Sequence, residues 1–457
     1  MHGIRILLVS LYELGRQPAA LAGPAAWLRA AGHEVITLDL SLEPIGEPPE
    51  VSLIALSVPM YTATRLAMEL LPKLRSAAPR AHFCAYGLYA PMNASLLREL
   101  GVEAVLGGDC EEALVEIADT LAGTGNMVQP NPPVRYLKTA HRVPDRATLP
   151  PLARYAHLRV GAERRTVGFV DASRGCKHLC RHCPVVPVYE GRFSIVPVAS
   201  VLADIRAQVD AGARHISFGD PDFFNGPGHA ERVVRALHAE FPDVTYDATI
   251  KIEHLVRESR RLPLLRETGC LFVTSAVESI DDEVLTALDK GHTRSDFEQA
   301  VALMRRAGIA LAPTFVPFTP WTTRASYVAL LQCLDRLELV NSVPSVQLAI
   351  RLLVPEGSRL LTLGGFRERL EAFDPLTLGY PWAHKDPGVD ALQQEVQRLA
   401  AGGGTREDTF MEIWRLAHAS LGKPAPARVS HHAPEPAHLS EPWYCCAEPV
   451  TLQRTSL

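Results

Sequence analysis

The sequence predicts an α/β protein with two successive parallel sheets, and three observations support this. Residues 1–125 alternate short apolar runs with segments of helical periodicity. Residues 166–380 repeat the alternation on a longer cycle, and a proline-rich segment over 126–165 separates the two units. Near-continuous apolar strands alternating with helices indicate parallel sheets that helices cover on both faces. We therefore expect a doubly wound domain, a linker and a partial (β/α)6 barrel.

In the first unit the strands and helices follow one another with short connections. The predicted strands are 4–10, 35–40, 53–57, 81–86 and 105–106, and the predicted helices are 18–31, 64–77 and 111–121. A doubly wound sheet binds its ligand at the carboxyl ends of its strands. The residues that follow these strands are therefore the candidates for binding.

The second unit has the pattern of a barrel with an added helical region. The predicted strands are 167–171, 215–218, 244–249, 271–275, 310–316 and 345–352. Active sites of such barrels gather at the carboxyl ends of the strands. A helical extension over 381–425, which we expect to close the open side of the barrel, precedes a tail over 426–457 that is rich in proline and histidine.

The strongest chemical signal is the spacing CxxxCxxC of Cys176, Cys180 and Cys183, directly after the first predicted barrel strand. Thiolates select iron–sulfur clusters, zinc or copper(I), and three of them leave one coordination position open. A zinc ribbon would need a second ligand pair about 12–20 residues further on. Between Cys183 and Gly269 the histidines are isolated, so no second ligand pair is present. The pattern therefore favours a cluster, and the alternatives are zinc and a chance grouping of cysteines.

The stretch from Ser173 to Cys183 resembles the cluster loop of the radical SAM superfamily. In that family three cysteines hold a [4Fe–4S] cluster and S-adenosylmethionine (SAM) chelates the fourth iron. The resemblance therefore implies both cofactors, with Cys176, Cys180 and Cys183 as ligands. His182 stands where the family usually has an aromatic residue over the adenine, and an imidazole can stack in the same way.

The first unit resembles the flavodoxin-like cobalamin-binding domain that precedes many radical SAM domains. The matching stretches are 30–35, 85–88 and 107–112. The resemblance implies a corrin surrounded by Ser57, Arg65, Gly87, Gly107 and Gly108. No Asp-x-His-x-x-Gly stretch is present, so cobalt would have no protein histidine. The alternatives are a domain that has lost its ligand and, for Arg65, a surface salt bridge.

Three strand ends of the barrel carry further candidates for SAM binding. The resemblance places the loop with Gly219, Asp220 and Asp222 at the amino group of SAM, and the alternative is an Asx turn. Val277-Glu278-Ser279 is similar to the family's Gly-x-Glu-Ser, whose polar pair faces SAM, although Ser279 could instead cap a helix. Arg351 interrupts an apolar run, so it needs a carboxylate, either that of SAM or a nearby Asp or Glu.

The tail contains adjacent cysteines, Cys445 and Cys446, in the sequence Tyr-Cys-Cys-Ala-Glu-Pro. A disulfide between neighbours would be strained, because consecutive Cα atoms lie closer than disulfides prefer. Such thiols suit a redox couple, a soft-metal clamp or a resolving pair. The tail resembles that of a radical SAM group ending in CUAEP or CCAEP, in which selenocysteine can replace the second cysteine. This implies a catalytic dithiol at the barrel mouth, and a disordered tail is the alternative.

Composition and charge restrict the classes of binding partner and the cellular location that we expect. The formal charge is −5 and no basic run is present, so nucleic acid is disfavoured, although a modified RNA substrate stays open. The apolar run 4–11 is too short to span a bilayer, and nine cysteines without a disulfide pattern favour the cytoplasm. We expect a small-molecule or peptide substrate and an electron donor of the flavodoxin or ferredoxin type. The predicted function is methyl transfer or radical rearrangement, and the alternative is an iron–sulfur protein that binds soft metals or metalloids without SAM turnover.

Overall fold

The structure, a computed structural model, describes residues 3–123, 134–135, 141–428 and 435–441. The first sheet is parallel, with strand order β2-β1-β3-β4-β5-β6. Its strands are β1 Arg5–Ser10, β2 Glu34–Asp39, β3 Leu53–Ser57, β4 His82–Tyr86, β5 Ala104–Gly108 and β6 Val134–Arg135. The order 2-1-3-4-5 is that of flavodoxin-like doubly wound sheets.

Helices cover both faces of this sheet and bury its apolar strands. They are α1 Ala19–Ala30, α2 Tyr61–Ala77, α3 Ala94–Glu99 and α4 Glu111–Leu121. Every residue of β3 is buried, as expected for a central parallel strand with a covered face on each side. Two separate apolar clusters, one on each face, make up the core.

The second sheet has the order β14-β13-β12-β11-β8-β7-β15. Five strands run parallel, β8 Glu163–Val170, β11 His215–Phe218, β12 Thr245–Thr249, β13 Cys270–Glu278 and β14 Ala310–Phe315. Two antiparallel strands extend the β8 edge, β7 His157–Val160 and β15 His438–Leu439. A separate two-stranded antiparallel sheet pairs β9 Ser173–Gly175 with β10 Phe193–Ile195. β7 and the first residues of β8 lie inside the predicted linker, so the sheet begins earlier than expected.

Helices follow the barrel strands and pack on the outside of the sheet. They are α5 Val186–Tyr189, α6 Val198–Asp210, α7 Pro227–Glu240, α8 Ile252–Arg257, α9 Leu262–Glu267, α10 Asp282–Leu288, α11 Arg294–Ala307 and α12 Arg324–Arg336. The helical extension consists of α13 Pro387–Ala400 and α14 Arg406–Ser420, capped by the side chains of Asp386 and Thr405. Both join the main apolar core of the barrel. In the described part of the chain, no helix is long and apolar enough to cross a membrane.

The prediction of a sixth barrel strand over 345–352 is wrong. Ser345–Leu348 is a short 3-10 helix, and a single bridge between Phe318 and Arg351 is the pairing found there. Side chains bind backbone groups that a strand would use. Gln347 Oε1 accepts from Phe315 N at 3.1 Å, and Gln393 Nε2 donates to Ala349 O at 3.0 Å. The barrel sheet therefore has five parallel strands.

The linker segment joins the two sheets by buried polar contacts. Arg146 binds Asp204 at 2.7 Å, Gln17 Oε1 at 3.0 Å and Phe169 O at 2.8 Å. Tyr155 donates its hydroxyl to Asp39 Oδ2 at 2.7 Å. A buried arginine needs its carboxylate and carbonyl partners, so this segment fixes how the first domain sits on the barrel.

Candidate active site

The cysteine loop begins directly after β9, where the chain turns sharply. Gly175 has a φ of +77°, and a Cβ there would lie 2.5 Å from both Arg192 O and the ring of Tyr189. Glycine is therefore required directly before Cys176.

Two other segments of the chain bind this loop. Asn225 Oδ1 accepts from Lys177 N at 3.3 Å, and Asn225 Nδ2 donates to Gly175 O at 3.3 Å. Arg181 N donates to Leu288 O at 2.9 Å, which ties the loop to α10. These contacts attach the loop to the segment after β11 and to the end of α10.

In the described structure none of the three cysteines of the loop forms a disulfide, and Cys180 is buried while Cys176 and Cys183 are half-buried. Burial raises the pKa of the Cys176 thiol. Among the described residues, no trio that contains these sulfurs has its ligand atoms all within 4.8 Å of one another. Ligands of one tetrahedral zinc at about 2.3 Å would be about 3.8 Å apart. The described geometry therefore does not have the three sulfurs gathered as ligands of one zinc ion.

A buried charge group lies at the carboxyl end of β13. Glu278 Oε1 is 3.1 Å from His182 Nε2 and 3.3 Å from Lys290 Nζ. Burial alone would raise the pKa of Glu278, but Lys290 and His182 hold it down to about 2. The backbone of Glu278 has a φ of +68°, which costs about 1–3 kcal/mol for a residue other than glycine. Its Oε2 is buried with no hydrogen-bond partner in the described structure, and a ligand hydroxyl or amine would satisfy it.

In the loop after β11, the residues predicted to contact SAM mainly bind other residues of the chain. Asp220 accepts from Ala172 N at 2.9 Å and from the Ser173 hydroxyl, and burial raises its pKa to about 7. A Cβ on Gly219 would lie 2.1 Å from the ring of Phe169. Asp222 accepts from Phe224 N at 3.2 Å, which is the Asx turn that the sequence left open. Contact of these residues with SAM stays a prediction.

Ser279 and Arg351 also have partners inside the chain. Ser279 Oγ accepts from Asp281 N at 3.0 Å, and Asp281 is the N-cap of α10, so Ser279 shapes the preceding turn and is not the cap. Arg351 forms a 2.7 Å ion pair with Asp390 and lies over the ring of Trp382. Arg351 therefore has the carboxylate that the sequence demanded, without SAM.

The predicted corrin residues lie at the carboxyl edge of the first sheet. Ser57 ends β3 and its Oγ is buried without a hydrogen-bond partner among the described residues. Arg65 lies on the first turns of α2, with its guanidinium 5.9 Å from the Tyr61 ring, and has no carboxylate within 4.0 Å in the described structure. Gly87 follows β4, and Gly107 and Gly108 end β5. The edge thus presents a hydroxyl and a cation that the described chain leaves unsatisfied.

The carboxyl edge of the first sheet meets the cysteine loop of the barrel at one arginine that the sequence did not single out. Arg174, two residues before Cys176, lies 3.2 Å from Asp109 and 2.8 Å from Glu111, just after β5. These carboxylates raise the pKa of Arg174 although burial opposes this. The predicted ligand crevice and the predicted cluster therefore face each other. Cys445 and Cys446 lie outside the described residues.

Comparisons with known proteins agree with this arrangement. Residues 170–322 match the radical SAM superfamily. Hopanoid C-3 methylase from Methylococcus capsulatus is 22% identical over 73% of this chain and 67% of its own length. A tRNA-2-methylthio-N(6)-dimethylallyladenosine synthase from Chlorobium phaeobacteroides is 26% identical over 35% of this chain. The chain spans only 38% of that synthase.

Two solved structures share the fold. TsrM from Kitasatospora setae, a radical S-adenosylmethionine methyltransferase with cobalamin and a [4Fe–4S] cluster bound, has a TM-score of 0.57 at 20% identity, over 74% of each chain. OxsB, a cobalamin-dependent S-adenosylmethionine radical enzyme, has a TM-score of 0.66 at 15% identity, over 86% of this chain and 66% of its own.

The fold and the site define an α/β enzyme with a three-thiol loop at the mouth of a partial barrel. Residues 170–322, which include the three-thiol loop, match the radical SAM superfamily. Such a domain implies a [4Fe–4S] cluster and SAM. The residues fit both, since the three described cysteines are not in disulfides and Glu278 Oε2 is buried without a hydrogen-bond partner among the described residues.

Proposed function

We propose that this enzyme also binds cobalamin and transfers a methyl group to a small molecule or peptide. The observation that supports the proposal is the pair of contacts of Arg174 with Asp109 and Glu111, because they join the carboxyl edge of the first sheet to the cysteine loop. Ligands of such domains bind at this edge. The iron–sulfur protein without SAM turnover is not favoured, since the domain match and the methylase relatives point to an enzyme.

The residues at the edge of the first sheet fit a corrin with amide side chains. Ser57 Oγ and Glu13 Oε2 are buried without a hydrogen-bond partner among the described residues, and burial raises the pKa of Glu13 to about 8. Burying such groups unpaired costs about 1–3 kcal/mol each. Ligand amides that donate to these oxygens would remove this cost. Arg65 supplies a cation at the same edge.

The histidines of the first domain support cobalamin binding without a histidine on cobalt. Within residues 3–123, His33 precedes β2 and His82 begins β4, so both belong to the amino edge of the sheet. His33 also binds Asp119 at 3.2 Å. Neither residue is near the carboxyl edge, where the crevice lies. His141, in the linker, does line a cavity with Arg174 and is close enough to Asp109 and Glu111 to feel their charges, so it is the histidine that the spectroscopic test below examines.

The chain's own residues would bind and orient the cofactors. Bound together, the cluster, SAM and cobalamin supply a methyl group and radical chemistry. Asn225 and Arg174 fix the cysteine loop, and Glu278 with Lys290 offers a charged acceptor beside it. We propose an electron donor of the flavodoxin or ferredoxin type and a cytoplasmic location, which suits seven free thiols among the described cysteines.

We also propose that Cys445 and Cys446 act on the substrate or an intermediate, as the CUAEP or CCAEP tail resemblance implies. The support is Glu441, because a Cβ on Gly15, in the loop after β1, would lie 3.1 Å from Glu441 Cβ. Cys445 is four residues further along, which is a reach of at most about 14 Å. A position of the two cysteines at the crevice is part of this proposal.

The test is anaerobic reconstitution with iron, sulfide, cobalamin and SAM. We expect one cobalamin per chain, a cob(II) electron paramagnetic resonance spectrum without nitrogen superhyperfine splitting, and formation of 5′-deoxyadenosine or S-adenosylhomocysteine from SAM. Splitting from a coordinated imidazole would refute the absence of a histidine ligand. Failure to bind cobalamin would refute the cobalamin proposal while leaving the radical SAM assignment in place. SAM that stays intact would restore the metal-binding alternative.

A further inference from the structure

Three potential metal ligands from three elements lie close together, and one of them belongs to the cysteine loop. His178 lies between Cys176 and Cys180, Asp222 in the loop after β11, and His254 on α8. One ligand atom of each lies within 4.8 Å of the others, and no other trio of His, Cys, Asp or Glu in the described ranges meets this criterion. The cluster cysteines are not members, so this group is distinct from the cluster ligands.

The converging atoms are buried and lack hydrogen bonds. Asp222 Oδ2 is 3.4 Å from His178 Nε2 and 2.6 Å from His254 Nδ1. Even so, none of the three atoms has a partner with hydrogen-bond geometry in the described structure. Asp222 and His254 are completely buried. Polar atoms buried without partners cost about 1–3 kcal/mol each, so the group is incomplete as it stands.

The donor set matches a divalent transition metal ion. Two imidazoles and one carboxylate are the ligands of many zinc and iron(II) sites, which keep further positions for water. Ligands about 2.05 Å from a tetrahedral zinc ion would be about 3.3 Å apart. The separation of His178 and Asp222 fits this value, and an ion would widen the shorter contact of Asp222 with His254 by about 0.7 Å.

The surroundings orient the ligands as in known metal sites. The second oxygen of Asp222 accepts from Phe224 N at 3.2 Å and from Lys251 N at 3.4 Å. His178 turns its other nitrogen, Nδ1, toward Glu253, 3.8 Å away, in the direction of the carboxylate partner that metal-bound histidines usually have. Lys251 Nζ is a nearby cation, and Glu253 at 3.5 Å offsets its charge.

We propose that His178, Asp222 and His254 bind one divalent transition ion, with zinc as the probe. The ion ties the cysteine loop to the loop after β11 and to α8. It therefore fixes the positions of Cys176 and Cys180 from behind. The role is structural, because two of the three ligands are inaccessible to a substrate.

The test uses the full-length protein with its cluster reconstituted, supplied with zinc and then treated with a chelator. Elemental analysis should find one zinc per chain besides the cluster iron. The zinc K-edge absorption spectrum should show only nitrogen and oxygen neighbours, at about 2.0–2.1 Å. Sulfur neighbours at about 2.3 Å would mean zinc on the cysteines and would overturn the proposal, as would a wild-type protein that retains no zinc.

Two conservative variants and one control locate the site. His254→Gln and Asp222→Asn should each weaken zinc binding by at least about 10-fold while the cluster iron is retained. His418→Gln changes another buried histidine, on α14, whose Nδ1 is 2.8 Å from Trp414 O, and it should keep the zinc. Unchanged zinc in His254→Gln would refute the site. If either variant does not fold, the wild-type spectrum alone decides.

Discussion

Removing the charge of Glu278 while keeping its shape tests the buried group at the end of β13. In Glu278→Gln the ammonium of Lys290, whose side chain is 4% exposed, loses its carboxylate. The pKa of Glu278 falls from an ordinary 4.5 to about 2 in the folded chain, which corresponds to about 3 kcal/mol. Breaking a buried ion pair costs about 3–5 kcal/mol. We therefore expect a loss of about 3 kcal/mol, or about 6–12 °C in melting temperature for a domain of this size.

The dependence on pH gives this prediction its sharpest form. Because the folded pKa is depressed, the stabilisation by Glu278 is complete above pH 4.5 and declines as the pH falls toward 2. Thermal unfolding of the cluster-free protein, followed by circular dichroism, should show a constant deficit in Glu278→Gln from pH 8 to about 5 that shrinks below about 4.5.

Glu298→Gln is the control for this measurement. Glu298 binds Arg336 at 2.6 Å and Arg294 at 3.0 Å, but its side chain is one-third exposed, so the change should cost less than about 1 kcal/mol. Equal melting temperatures for the two variants at pH 7 would refute the reasoning. A deficit in Glu278→Gln that grows on acidification would refute it as well.

Three further predictions address the site. Changing Cys176, Cys180 and Cys183 together to Ala should abolish bound iron and sulfide, and retention of both would refute the cluster assignment. Arg174→Ala leaves two buried carboxylates without this cation and should cost about 3–5 kcal/mol of stability, with weaker cobalamin binding by equilibrium titration. Cys446→Ser should retain the cluster, SAM binding and melting temperature but abolish turnover of the true substrate. Loss of the cluster there would make the tail a structural ligand, and unchanged turnover would favour a disordered tail.

The sequence predicted the fold well wherever one physical signal dominated. Strands buried on both faces read as continuous apolar runs, and the bounds predicted for Leu53–Ser57 and His215–Phe218 agree with the structure. The prediction over 345–352 was wrong because an apolar run does not show whether a side chain will take the place of a neighbouring strand in hydrogen bonding. Here Gln347 Oε1 accepts the hydrogen bond from Phe315 N that a neighbouring strand would otherwise accept. The antiparallel additions were missed because β15, two residues long, is recognisable only from its pairing with β7.

The candidate site was predictable only where its residues are close in sequence. The cysteine spacing carries its own chemistry, so it could be recognised directly. His178 and His254 are 76 residues apart and meet only because consecutive parallel strands bring their loops together. Arg351 shows the opposite case, since the sequence predicted that it needs a carboxylate and the choice of Asp390 depended on the placement of α13. A single sequence can show that a residue needs a partner, but it does not show which residue supplies that partner.

The Arg174 junction explains why the two domains should act as one unit. Its guanidinium contacts the acidic residues that follow β5, and the next residue in the chain, Gly175, opens the cysteine loop. A ligand that moved the β5 edge would therefore pull on the backbone only two residues from Cys176. Since Arg146 and Tyr155 fix the same two domains from the linker side, the crevice has little freedom to open by rotation. Cofactors bound on its two sides would consequently be held at a constant separation, which a methyl transfer between them requires.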